Sequence, residues 1–181
     1  MKTGKVGIFI ATSLLFVLVS GCSVVDGSQQ GEEPDGQHTV QSVDEARAED
    51  ADIAASIREA AGIGGSVDDP GVGVSMCEDD PEMNRLYLMR HPWSIHGVSR
   101  DRLEEGMDRL RETLPSRGWE IIQDGEVDNA NRTPRILFEN RELEYAAHVT
   151  VEGRGEGFQL HVSMVSACFS TPEGESPRNE Y

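Results

Sequence analysis

The stretch LEYAAHVTVEGRGEGFQLHVSM, residues 143–164, decides the fold. Leu143, Tyr145, Ala147, Val149 and Val151 alternate with small or polar residues. After Gly153-Arg154-Gly155-Glu156-Gly157 the alternation resumes at Phe158, Leu160, Val162 and Met164. A period of two sends successive side chains to opposite faces of a strand, so each run has one apolar face. Two such runs joined by a glycine-rich turn predict an antiparallel hairpin with a buried face. Buried positions are odd on the way out and even on the way back, so the numbers of paired residues sum to an odd value. A turn centred on Arg154-Gly155 pairs Val149 with Leu160 and His148 with His161. Two adjacent imidazoles can begin a zinc site, with His91 or His96 as third ligand if their strand lies alongside. The plain alternative is a pair of exposed histidines on a sheet.

Working outward, Arg135 to Glu139 and Trp119 to Gln123 read as further strands, separated by a polar loop. Before them, Leu103, Met107, Leu110 and Leu114 fall on one face of a helix over residues 100–114. Ser99 caps it, and Pro115 and Gly118 end it. Residues 72–77 and 85–95 look extended, with Pro92 predicting an edge or a bulge at the far end of the second. Val43 to Ala61 reads as another helix. Ser42 and Glu45 form a capping-box pattern, and Ala46, Ile53, Ile57, Ala60 and Ala61 make a weak apolar stripe. The expected fold is α+β: an antiparallel sheet of about four or five strands packed on one main helix, plus an N-terminal helix. The domain would span residues 42–170, with a loose tail at 171–181 rich in Pro, Gly and charge.

The other end of the chain is of a different kind. Lys2 and Lys5 precede a mostly apolar run from Val6 to Val19, too short for a comfortable membrane span. Val19-Ser20-Gly21-Cys22 follows, and this resembles the lipobox of bacterial lipoproteins. The resemblance implies removal of residues 1–21 and acylation of Cys22. Two acyl chains give stable anchoring where one is marginal. It also implies a location on the extracytoplasmic face of the cell membrane. Residues 22–41, rich in Ser, Gln, Gly and acids, then read as a flexible tether. A coil of that length reaches roughly 25 Å.

The chain carries 16 basic and 33 acidic residues, net −17. Lys2 and Lys5 are its only lysines, so the processed chain sets 14 arginines against 33 acids, net −19. Exclusive use of Arg suggests a GC-rich genome, and the general resemblance is to small actinobacterial lipoproteins. Strong negative charge argues against nucleic acid and against direct docking on anionic lipid.

With Cys22 assigned to lipid, Cys77 and Cys168 remain, and an exported protein lives where disulfides persist. They are expected to be bonded to each other. Glu78-Asp79-Asp80-Pro81-Glu82 is an acidic loop that lacks the spacing of an EF-hand. The chain has no GxSxG, HExxH or SxxK motif, and no cofactor is implied. The expected function is a binding or interaction module at the cell envelope, with a protein partner there. Trp93, His96 and Trp119 are the first binding candidates. The alternatives are a carrier of a small apolar ligand or lipid, and an envelope enzyme.

Overall fold

A computed structural model describes residues 38–129, 132–155 and 157–180. The expected signal segment, Cys22 and most of the tether lie outside them. Residues 37–181 form one compact unit. Its elements are α1 (Val43–Ala61), β1 (Ser66–Asp68), β2 (Gly73–Met76), β3 (Leu86–His96) and α2 (Arg100–Thr113), then β4 (Glu120–Glu126), β5 (Pro134–Asn140), β6 (Tyr145–Arg154), β7 (Gly157–Ser166) and β8 (Phe169–Ser170). No helix among the described residues is long and apolar enough to cross a membrane.

Both helices begin as the sequence predicts. The Ser42 hydroxyl accepts from the Glu45 amide at 3.3 Å, and the Glu45 carboxylate accepts from the Ser42 amide at 3.0 Å. This reciprocal box satisfies two amides that the first turn of a helix otherwise leaves unpaired. Gly62 ends α1 in the left-handed conformation. Ser99 caps α2, which passes through a short 3₁₀ turn at Leu114–Arg117 before Gly118 redirects the chain.

The fold is α+β with an antiparallel sheet, larger than expected: eight strands, with the path β1-β3-β7-β6-β5-β4 and with β2 and β8 also paired to β3. The strands with no counterpart in the sequence reading are β1 and β8, three and two residues long. Segments that short carry no readable period. The helices also differ from expectation, because α1 and α2 pair with one another over one face of the sheet instead of one main helix covering it. Arg109 Nε donates to the Ala61 carbonyl at 2.7 Å, and Arg117 Nη1 to the Ser56 carbonyl at 3.1 Å. The two helices therefore run antiparallel.

The core lies between this helix pair and the sheet. From the sheet come Tyr87, Met89, Trp93, Ile136, Phe138, Val149, Leu160, Val162 and Met164; from the helices Ile53, Ile57, Leu103, Met107 and Leu110. The strand β3 does not end or bulge at Pro92. It continues to His96, with Pro92 opposite Ser163 of β7. On its other edge β2 pairs up to Arg90 and β1 from Ser94. Pro92 falls in the gap, where a missing amide hydrogen is tolerated.

The hairpin has the predicted faces but a register two residues away from the expected one. Val149 pairs with Val162, and Arg154 with Gly157. Both registers keep the apolar faces aligned, so alternation alone does not separate them. The turn does: Gly155 takes a left-handed φ of 60°, and Gly153 lies so close to the return strand that an added Cβ would sit 2.1 Å from the Gly157 carbonyl oxygen. Glycine at those two positions fixes the turn one residue further along.

Cys77 and Cys168 form a disulfide that joins the end of β2 to the segment before β8, across 91 positions. In the chain-entropy account a loop of that length gives about 4–5 kcal/mol. The tail expected to be loose is held against the domain. Thr171 is buried, Arg178 donates to the Glu82 carbonyl at 2.7 Å and to Asn84 at 2.6 Å, and Arg47 pairs with Glu180 at 2.8 Å.

Candidate functional site

The residues singled out from sequence separate in space. Trp93 is 1% exposed and belongs to the core, with the Arg58 guanidinium 5.2 Å above its ring. His96 ends β3 on the opposite face of the sheet, exposed and paired with Gln159. Trp119 stands apart from both. It follows the left-handed Gly118, lies in the chain between the turn after α2 and the start of β4, and at 5% exposed it too belongs largely to the core.

The histidine pair is also corrected. In the observed register His148 faces Ser163 and His161 faces Thr150, so the imidazoles are diagonal neighbours. Burial, then the charges of Arg135 and His161, lowers the His148 pKa. His91 cannot complete a zinc site with them, because it points to the other face of the sheet. Among the described residues no group of three or more His, Cys, Asp or Glu is placed to hold a metal ion. In the acidic loop, Asp80 turns inward on its own backbone. It accepts from the amides of Arg85 at 2.8 Å and Leu86 at 3.0 Å and from the Asn84 side chain at 2.9 Å. The Leu86 and Arg85 amides pull its carboxyl down to about 2.

Trp119 lines an open groove of about 700 Å³. One wall is α1, through Glu45, Ala48, Glu49, Asp52 and Ile53; the other is Arg117, Trp119 and Leu143. The groove exists because α1 outruns α2. Ala61 and Ser56 lie against α2 and the turn that follows it, whereas the N-terminal half of α1 extends past the point where that chain turns into β4. Ile53, Leu143 and Trp119 give an apolar floor, with the carboxylates along the α1 rim. Hydrogen bonds from the Ser42 hydroxyl and amide hold Glu45 below the usual carboxylate range. Gln41 Nε2 donates to Glu49 at 2.8 Å. Arg117 is engaged by Ser56 Oγ at 2.9 Å and Glu59 at 3.5 Å, so the groove keeps a negative balance.

A buried ion cluster holds the α1 wall in place, and sequence reading missed it. Asp50, fully buried on α1, is hydrogen-bonded to Nδ1 of His91 on β3. Nε2 of His91 bonds to Asp69 at 2.7 Å, and Asp69 also pairs with Arg58 at 2.9 Å. Burial disfavours the imidazolium, but its bonds to Asp50 and Asp69 outweigh this and raise the His91 pKa. For Asp69, burial works upward and is overcome by the bonds from His91 and Gly71, leaving its pKa lowered. With both ring nitrogens engaged and 4% of its side chain exposed, His91 cannot act as a general base on a bound molecule. Its role is to clamp α1 to β3. Two sequence signals pointed here: Asp50 interrupts the apolar stripe of α1, and His91 shares the parity of Tyr87, Met89 and Trp93.

Comparison with protein-family models, curated proteins and solved structures yields no match.

Proposed function

We propose that this chain is an extracytoplasmic binding module, tethered to the membrane through lipid on Cys22, which receives its ligand in the groove between α1 and Trp119. The groove carries this reading, since it combines an apolar floor with anchored charge at the surface. The tether rests on the ordered signal, apolar run and lipobox of residues 1–22. Carriage of a fatty acid or an anionic lipid fits less well, because its head group would meet Glu45, Glu49 and Asp52. Catalysis fits less well too: in the buried cluster of Asp50, His91 and Asp69 both ring nitrogens are engaged.

Two measurements test the reading. Palmitate labelling in the native cell should disappear in Cys22→Ala, and persistent labelling would sink the tether. A compact aliphatic diazirine residue at Ala48, too small to fill the groove, should form adducts that the same residue at Gln123, exposed on β4, does not. Equal yields at both positions, or none at Ala48, would sink the groove.

A further inference from the structure

The shape of the groove narrows what it can hold. Its long wall runs from Gln41, just ahead of α1, to Ser56 on α1. That is about 20 Å along a helix axis, an elongated shape matched to a segment of chain. Beside that wall the helical layer stops short, since α2 gives way at Leu114–Arg117 to the turn into β4. A further helix laid there would continue the line of α2 and extend the pairing that α1 already makes with it.

Charge selects among helices. Glu45, Glu49 and Asp52 are spaced four and three apart, so they project from one face of α1 along the rim. Across from them Arg117 is already held by Ser56 and Glu59. On the floor Leu143 is half-buried and offers apolar surface, while Ile53 and Trp119, 6% and 5% exposed, present only an edge. An acidic helix would meet three carboxylates with no free cation in return. The net charge of −17 also draws cationic partners from a distance.

We infer that the groove binds a basic amphipathic helix of a partner protein, about 14 residues long. Its apolar face would sit on Leu143 and the exposed edge of Trp119, and its Lys or Arg residues would lie along Glu45, Glu49 and Asp52. This rests on the groove being the binding site.

The test uses the full chain in phosphatidylcholine nanodiscs, whose neutral lipid does not recruit cations. The probe is a dye-labelled amphipathic peptide of leucine and lysine, of about 14 residues, followed by fluorescence anisotropy. Saturable binding is expected, weakened roughly tenfold in Glu49→Gln/Asp52→Asn from the loss of two partly exposed ion pairs. Ala48→Trp, an exposed position on α1, should fill the groove and weaken binding at least as much while the thermal melt stays in place. The same peptide with glutamate for lysine should not bind. Absence of binding, equal binding of the glutamate peptide, or indifference to either variant overturns the inference. The Ala48 crosslink in cells separates the two levels. If it still captures a partner, only the basic-helix inference falls; if it is silent, the groove falls with it.

Discussion

Removing the His91 side chain should be among the most damaging single changes in the domain. In His91→Ala, Asp50 loses its hydrogen-bonded partner while remaining fully buried on α1. Its second carboxylate oxygen already lacks a hydrogen-bond partner among the described residues. An uncompensated buried charge costs about 3–5 kcal/mol. Folding stabilities run to about 5–15 kcal/mol, so a large share of the total would be lost. The melting point should fall by roughly 10 °C, and the urea midpoint should drop with an unchanged slope. The partners are not equivalent, which sharpens the test. Asp50→Asn leaves His91 paired with Asp69, 28% exposed, and should cost only about 1–2 kcal/mol. Replacing both with leucine removes charge and desolvation together and should recover most of the loss. The assay is urea unfolding followed by circular dichroism across the four proteins. A His91→Ala loss below about 1 kcal/mol, or a double variant less stable than His91→Ala, would refute the reasoning.

Three further outcomes are expected. The His91 pKa is raised in the folded state, so its contribution is fully present below the ordinary value of 6.5 and is lost as pH rises through the folded value. Urea midpoints against pH should show that decline in the native chain and not in the paired leucine variant. Asp80 has the opposite sign: its lowered carboxyl stabilises the loop above the ordinary 3.8 and loses that effect as pH falls toward about 2. Asp80→Ala should therefore cost on the order of 1 kcal/mol at neutral pH and little at the acid end, read from the same titration. Gly153→Ala drives a Cβ into the Gly157 carbonyl from a φ of 138° and should destabilise by more than about 1 kcal/mol. Hydrogen exchange should then quicken first at the β6–β7 turn.

Local signals in the sequence were read well because local physics produces them. Ser42 with Glu45 and Ser99 set the helix starts, and the period of two set the faces of β6 and β7. The Cys77–Cys168 bond followed from counting thiols. What escaped depends on distant parts meeting. The β1 and β8 strands are short because β3 supplies their pairing. The hairpin register was open because two alignments bury the same faces, and only the glycine conformations at the turn choose between them. Asp50 and His91 lie 41 positions apart, and the position of each marks a buried face without naming its partner. The groove has no motif, because it is a difference in reach between two helices. Trp119 was picked out for its type, and its position at the end of α2 gives that choice its meaning.

The place of β3 has a consequence for how the protein is made. This strand is paired on one edge by segments that precede it and on the other by β7 and β8, which lie near the end of the chain. Ser170 of β8 meets Val40, and Cys168 meets Cys77. Pairings so far apart in sequence close late and slowly. A ribosome making this polypeptide releases the finishing pieces last. Until residues 157–170 emerge, the part of the domain already made has β3 with one side bare. The domain locks only when its own end arrives.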